Sequence, residues 1–158
     1  MKSLIDIRQP VFSDVNHLMD IDIKCFDEPW SVDRWRAVCG DRLKYKLVGT
    51  YFSNPVGFVV WERLDNSINV IRLGVKNIYR CSGIGTKLLR AVEESAYHLK
   101  IYRVTFLVPE SLCCPGDSMD VSRWLLKRGA RALSIVENTS VQTGKDEDAF
   151  LFSLNVKG

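Results

Sequence analysis

Apolar and polar residues alternate in the first run, Leu4-Ile5-Asp6-Ile7-Arg8, as along a strand with one buried face, and Pro10 closes it. Ser13 then reads as the cap of a helix that buries Val15, Leu18, Met19 and Cys25 or Phe26, with Asp14 favourably placed in its first turn. Pro29-Trp30-Ser31 interrupts the pattern, and Ser31 with Asp33 can cap a short second helix that Gly40 ends. Strands are expected over 45–52 and 56–62, joined through Ser53-Asn54-Pro55, and Asp65-Asn66 turns the chain into a third run over 67–75. An irregular segment, 76–82, precedes a helix whose Leu88, Leu89, Val92, Ala96 and Leu99 keep the i, i+3, i+4 period. The strongly apolar run 102–109 reads as a central strand. After a loop over 111–117, Ser118 can cap a helix running to Arg128, with Gly129 as its stop, and two last strands fall at 132–137 and 148–156.

The resulting order, β-α-α-β-β-β-α-β-α-β-β, predicts a mixed α/β single domain over residues 1–158. The hairpins make its first half antiparallel, and the helical crossovers favour parallel pairing in the middle of the sheet. A chain of 158 residues, 46% hydrophobic and 26% charged, can bury one substantial core. Asp6 falls where a secretory leader would need an apolar run, and no stretch approaches the roughly 18 apolar residues of a membrane span, so a cytoplasmic protein without a membrane partner is expected. Five cysteines (Cys25, Cys39, Cys81, Cys113, Cys114) include no C-x-x-C pair and no histidine at metal-ligand spacing, which suits reduced thiols and no bound metal. A net charge of +3 makes no case for nucleic acid, though a local basic patch would serve a polyanionic ligand.

Such a patch is legible where the 67–75 strand leads into the long helix. The segment Arg80-Cys81-Ser82-Gly83-Ile84-Gly85, followed by Thr86, turns several backbone N–H groups toward one point, and the helix dipole adds positive potential there. Gly83 and Gly85 carry no Cβ to obstruct a phosphate, and Arg80 and Lys87 bring charge nearby. A G-x-G turn also serves plain tight packing, so the motif is not specific by itself. Two rival phosphate motifs are excluded. Gly85-Thr86-Lys87 lacks the order of a Walker A loop, and a dinucleotide fingerprint needs a third glycine where Leu88 stands. Gly74, inside Arg72-Leu73-Gly74-Val75, adds a second signal, since glycine in a strand marks a bulge or a close approach. An amide-containing ligand such as pantetheine can bond to main chain at Leu73 and Val75 as an added strand does.

These residues resemble the central motif of the GNAT acetyltransferase superfamily, a strand followed by Q/R-x-x-G-x-G/A and an apolar helix. The likeness runs over nearly the whole chain. Phe26-Asp27-Glu28-Pro29-Trp30-Ser31, Leu126-Lys127-Arg128-Gly129 and Glu147-Asp148-Ala149-Phe150 look most like the ribosomal-protein-alanine and other protein N-terminal acetyltransferase branches. The resemblance implies an acyl-CoA N-acyltransferase fold, with a mostly antiparallel sheet of about seven strands, a splayed parallel central pair and about four helices. It implies acetyl-CoA as cofactor, with the amides from Arg80 to Thr86 on the pyrophosphate and Leu73, Gly74 and Val75 along the pantetheine arm. The expected activity is acetyl transfer by direct attack of a primary amine, above all the α-amine of a protein or peptide, with Trp30 beside that substrate.

The catalytic positions depart from the pattern. Leu125 stands where the family often has a tyrosine acid, and Leu107 where a glutamate or histidine is common. Ser118 takes the approximate place of a cofactor-contacting asparagine. Asn69 falls where other members carry a glutamate or tyrosine and can position a water, while Glu62 and Glu110 are carboxylates at strand ends. Without a strong base the acceptor's own acidity decides. At pH 7 deprotonating a lysine costs about 4.6 kcal/mol, but an α-amine of pKa near 8 only about 1.4 kcal/mol. Orientation with water as proton carrier can therefore serve an α-amine. The alternatives are a binding module with weakened catalysis and a small-molecule amine acetyltransferase.

Overall fold

The computed structural model describes residues 4–26, 28–42, 44–80, 82–109, 121–137 and 148–156. Strands β1 (Ile5–Arg8), β2 (Tyr45–Tyr51), β3 (Asn54–Arg63), β4 (Ile68–Val75), β5 (Arg103–Pro109), β6 (Arg131–Val136) and β7 (Ala149–Asn155) form a sheet in the order β1-β2-β3-β4-β5-β7-β6. The helices are α1 (Val15–Cys25), α2 (Val32–Gly40), α3 (Ile84–His98) and α4 (Val121–Lys127). The mixed α/β class and the single parallel pair, β4 with β5, match the expectation.

The chain divides into two compact units, and β4 contributes to both. The first comprises Met1–Glu62 and Ile71–Glu94. Its core packs Leu18 and Ile21 of α1 and Trp35 and Val38 of α2 against Val48, Phe58 and Val60 of the sheet. Ser31 caps α2 as its sequence suggests, its hydroxyl accepting the Arg34 N–H at 3.1 Å. Ser13 does not cap α1. It lies inside a 3-10 turn, Phe12–Asp14, which leaves Asp14 ahead of α1, where its buried carboxylate takes the Val11 N–H and the Arg8 guanidinium (2.7 and 2.9 Å).

The β2–β3 connection also differs from expectation. Asn54 and Pro55 belong to β3, pairing with Tyr51 and Thr50, and the loop is only Phe52 and Ser53, with φ of 49° and 69°. A two-residue hairpin demands this left-handed backbone, and a register shift between Gly49 and Thr50 accommodates the displaced pairing.

The second unit comprises Arg63–Val70 and Ser95–Gly158. Here β4 pairs in parallel with β5 through Ile68↔Val104, Asn69↔Thr105 and Val70↔Phe106. β5 pairs antiparallel with β7 from Arg103↔Asn155 to Pro109↔Ala149. Leu99 lies beyond the end of α3 and is partly exposed, because the helix closes at His98 and Lys100 turns back with φ 59°. Gly129, at φ 94°, ends the α4 segment as its sequence position indicates. Ser118 and the 111–117 loop, including Cys113 and Cys114, lie outside the described residues, as do Asp27, Cys81, Glu110 and Glu147. No helix among the described residues is long and apolar enough to cross a membrane.

Candidate functional site

The glycine turn sits where β4 hands over to α3. A 3-10 turn at Asn77–Tyr79 ends the strand's run, and the helix starts with the Lys87 N–H bonding the Gly83 carbonyl at 3.0 Å. Gly83 has φ 93°, and a Cβ built on it would have nothing within 4 Å. Backbone conformation, not packing, therefore calls for glycine here. Ser82 and Gly83 are exposed and Ile84 is fully buried, anchoring the first turn of α3 from beneath; Gly85 and Thr86 are half-buried. Amides of a helix's first turn lack a carbonyl one turn earlier and face out of its N-terminus, so this open turn can receive an anion.

The Arg80 guanidinium folds back on the end of β4, donating through Nε to the Val75 carbonyl at 3.2 Å and through Nη1 to Asn77 at 3.4 Å. The same carbonyl accepts the buried Cys25 thiol at 3.3 Å, and Arg80 Nη2 approaches that sulfur at 3.6 Å. Burial pushes the Cys25 thiol above its ordinary pKa, with Arg80 opposing the shift. With two donors already on it, the Val75 carbonyl is a poor acceptor for a ligand amide. Gly74 makes room for protein: a Cβ there would stand 3.1 Å from the Phe58 ring and 3.4 Å from Cys25 Sγ. Leu73 is half-buried on the same strand.

The sequence reading missed a buried ion pair. Asp22 lies on the buried face of α1 with Leu18 and Cys25, and Arg72 alternates with Val70 and Gly74 on the buried face of β4. Arg72 donates through Nε to Asp22 Oδ1 at 2.7 Å and through Nη2 to the Glu28 carbonyl at 2.9 Å, with Nη2 also ion-paired to Asp22 Oδ1 at 2.6 Å. Asp22 Oδ2 accepts the Trp30 N–H at 2.8 Å and the Trp35 Nε1–H at 3.0 Å. One carboxylate and one guanidinium thus fix the chain between α1 and α2. Burial pulls the Arg72 guanidinium below its ordinary pKa; Asp22 opposes that shift, and the nearby Arg34 charge adds to it. The available signal was a charged residue at an apolar position in each of two elements.

Trp30 is buried, its ring 4.9 Å from that of Trp35 and beneath two guanidiniums, Arg34 at 4.1 Å and Arg72 at 4.9 Å. It is part of the core and also borders a cavity. Asn69, second in β4, accepts the Thr105 hydroxyl at 3.1 Å and pairs with that residue across the parallel ladder. Glu62 is half-buried near the end of β3. Leu107 is half-buried on β5, and Leu125 is fully buried in α4, so neither supplies an acid or base.

With these features in place, the comparisons are consistent. Residues 15–111 match the Acetyltransferase (GNAT) family, and the chain belongs to that family. Comparison with curated proteins gave no match. Among solved structures, Ard1 from Thermoplasma volcanium is similar at 17% identity, with 99% of this chain and 100% of that chain covered and a TM-score of 0.81. Arabidopsis thaliana NAA60 in complex with a bisubstrate analogue follows at 18% identity, 98% and 99% coverage and a TM-score of 0.79. The ribosomal-protein-S18-alanine N-acetyltransferase from Escherichia coli has 16% identity, 98% and 95% coverage and a TM-score of 0.75. At such identities the likeness is one of fold.

Proposed function

We propose that the chain is a single-domain N-acetyltransferase that moves acetyl from acetyl-CoA to the α-amine of a protein or peptide. The observation that carries this reading is the turn at Gly83, left-handed and open where a Cβ would stand, at the start of the 15-residue helix α3. That geometry fits a pyrophosphate held by the amides of residues 80–86. The NAA60 structure with acetyl-CoA, similar at 18% identity and a TM-score of 0.77, supports the choice of ligand.

Acetyl-CoA supplies an activated thioester whose thiol, with an ordinary pKa near 8.5, leaves without strong acid assistance. The residues of the chain bind and orient. Leu73 main chain is proposed to hold the pantetheine arm, while Val75 can offer little beyond its N–H because Cys25 and Arg80 engage its carbonyl. Asn69, tied to Thr105, is proposed to position the water that accepts the amine proton. Glu62 is a weaker candidate as a base, and Ser118 a weaker one at the approximate place of a cofactor-contacting asparagine.

A second reading, a GNAT-fold binding module with weakened catalysis, is favoured by Leu107 and Leu125 at the usual base and acid positions. Thermal melting with acetyl-CoA, followed by free-thiol release with peptides of varied N-termini, separates the two. A melting shift with peptide turnover is the expected result. A shift without turnover of any amine favours the binding module, and no shift in folded protein removes the cofactor assignment altogether.

A further inference from the structure

A cavity of about 220 Å³ opens beside α2, lined by Trp30, Arg34, Val38, Lys44, Val60 and Ile71. Its apolar floor is the buried Val38 and Val60 with the half-buried Ile71, and its rim carries the cations Arg34 and Lys44 with Asp41. Residues 34–46 hold five cations (Arg34, Arg36, Arg42, Lys44, Lys46) against one anion, Asp41, in a chain whose whole net charge is only +3. The two guanidiniums over Trp30 are not equivalent. Arg72 is neutralised by Asp22, whereas Arg34 makes no ion pair among the described residues and rests on the indole face alone. A cation held by stacking keeps its N–H edge available to a planar carboxylate.

We infer that this cavity is a specificity site for an acidic side chain of the peptide acceptor, with Arg34 as the carboxylate partner. The volume lies below the roughly 300 Å³ at which small-molecule pockets begin and suits one side chain. A glutamate fits better than an aspartate, because its longer methylene stem covers Val38 and Ile71 while its head stays at the rim. The inference rests on the peptide-acceptor reading above, but it adds a recognition rule that the cofactor turn does not contain.

The test compares peptides identical except for Glu or Gln at the second, third or fourth residue, with acetyl-CoA saturating. The Glu peptide at the best position should show a KM about tenfold lower, as expected for one charge-assisted contact, and added salt should shrink the difference. Arg34→Gln should abolish the discrimination, raising KM for the Glu peptide far more than for the Gln peptide; Lys44→Gln should reduce it by less. Equal KM values for every Glu and Gln pair, or a preference that survives in Arg34→Gln, would overturn the inference. If no peptide is acetylated while acetyl-CoA still raises the melting temperature, the peptide-acetyltransferase reading fails. Calorimetric binding of the same peptides to the CoA-loaded protein then decides the cavity's role by the same Glu-to-Gln ratio.

Discussion

In the turn that opens α3, the shape is set by backbone, with Gly83 left-handed and open where a Cβ would stand and Ile84 buried beneath it. Between α1 and α2 the arrangement is reversed. Backbone at Glu28 and Trp30 is held by the side-chain charges of Asp22 and Arg72, buried and 50 residues apart in sequence. A site made of backbone tolerates any neighbouring side chain but no change of φ. A site made of buried charge tolerates backbone adjustment but not the loss of one partner.

The largest effect should come from breaking the charge-built region. Asp22→Ala leaves Arg72 without its counter-charge and the Trp30 and Trp35 N–H groups without their acceptor, and should cost about 3–5 kcal/mol in denaturant unfolding. Should the variant unfold outright, Asp22→Asn gives a milder reading of the same loss. The backbone-built region should respond to Gly83→Val, which forces a β-branched residue to φ 93° at a cost of about 1–2 kcal/mol and removes most of the acetyl-CoA-dependent melting shift. A melting shift that fell as far in Asp22→Asn as in Gly83→Val would show that the two regions are not separable.

Smaller changes sharpen the contrast. Ser31→Ala removes the α2 cap next to the ion-paired segment and should cost about 1 kcal/mol, well below the Asp22 effect although both act on the same stretch. The Arg8–Asp14 pair supplies the partly exposed counterpart of Asp22–Arg72. Its hydrogen bond with Arg8 holds the Asp14 carboxyl below the usual carboxylate range, so the pair's contribution is present above about pH 4 and lost as pH falls through that lowered value. Arg8→Gln should therefore cost about 0.5 kcal/mol at neutral pH, with the difference from the parent chain vanishing in acid melts and shrinking in high salt.

The unequal visibility of these regions in the sequence has a physical origin. A backbone φ as far positive as 93° at a helix start is met most easily by glycine, so Gly83 announces itself from its neighbours. The α2 cap and the alternation of β4 are local in the same sense. The Asp22–Arg72 pair depends on which face of α1 meets which face of β4, and no window along the chain contains both residues. The engagement of the Val75 carbonyl is hidden for the same reason, since Cys25 reaches it from another element and Arg80 folds back to it instead of facing outward. Errors at element ends, as at Ser13 and at Asn54-Pro55, arose where two local solutions were available and hairpin register or a 3-10 turn selected between them.

The hairpin at Phe52 and Ser53 places two side-chain-bearing residues in a conformation that Asn and Gly enter far more easily. The chain therefore keeps an unused reserve of thermal tolerance at a hairpin tip that belongs neither to the glycine turn nor to the lining of the cavity beside α2. A lineage or an engineer drawing on that reserve, with Asn at 52 and Gly at 53, would gain freedom to accept costly changes elsewhere, including substitutions at the cavity rim.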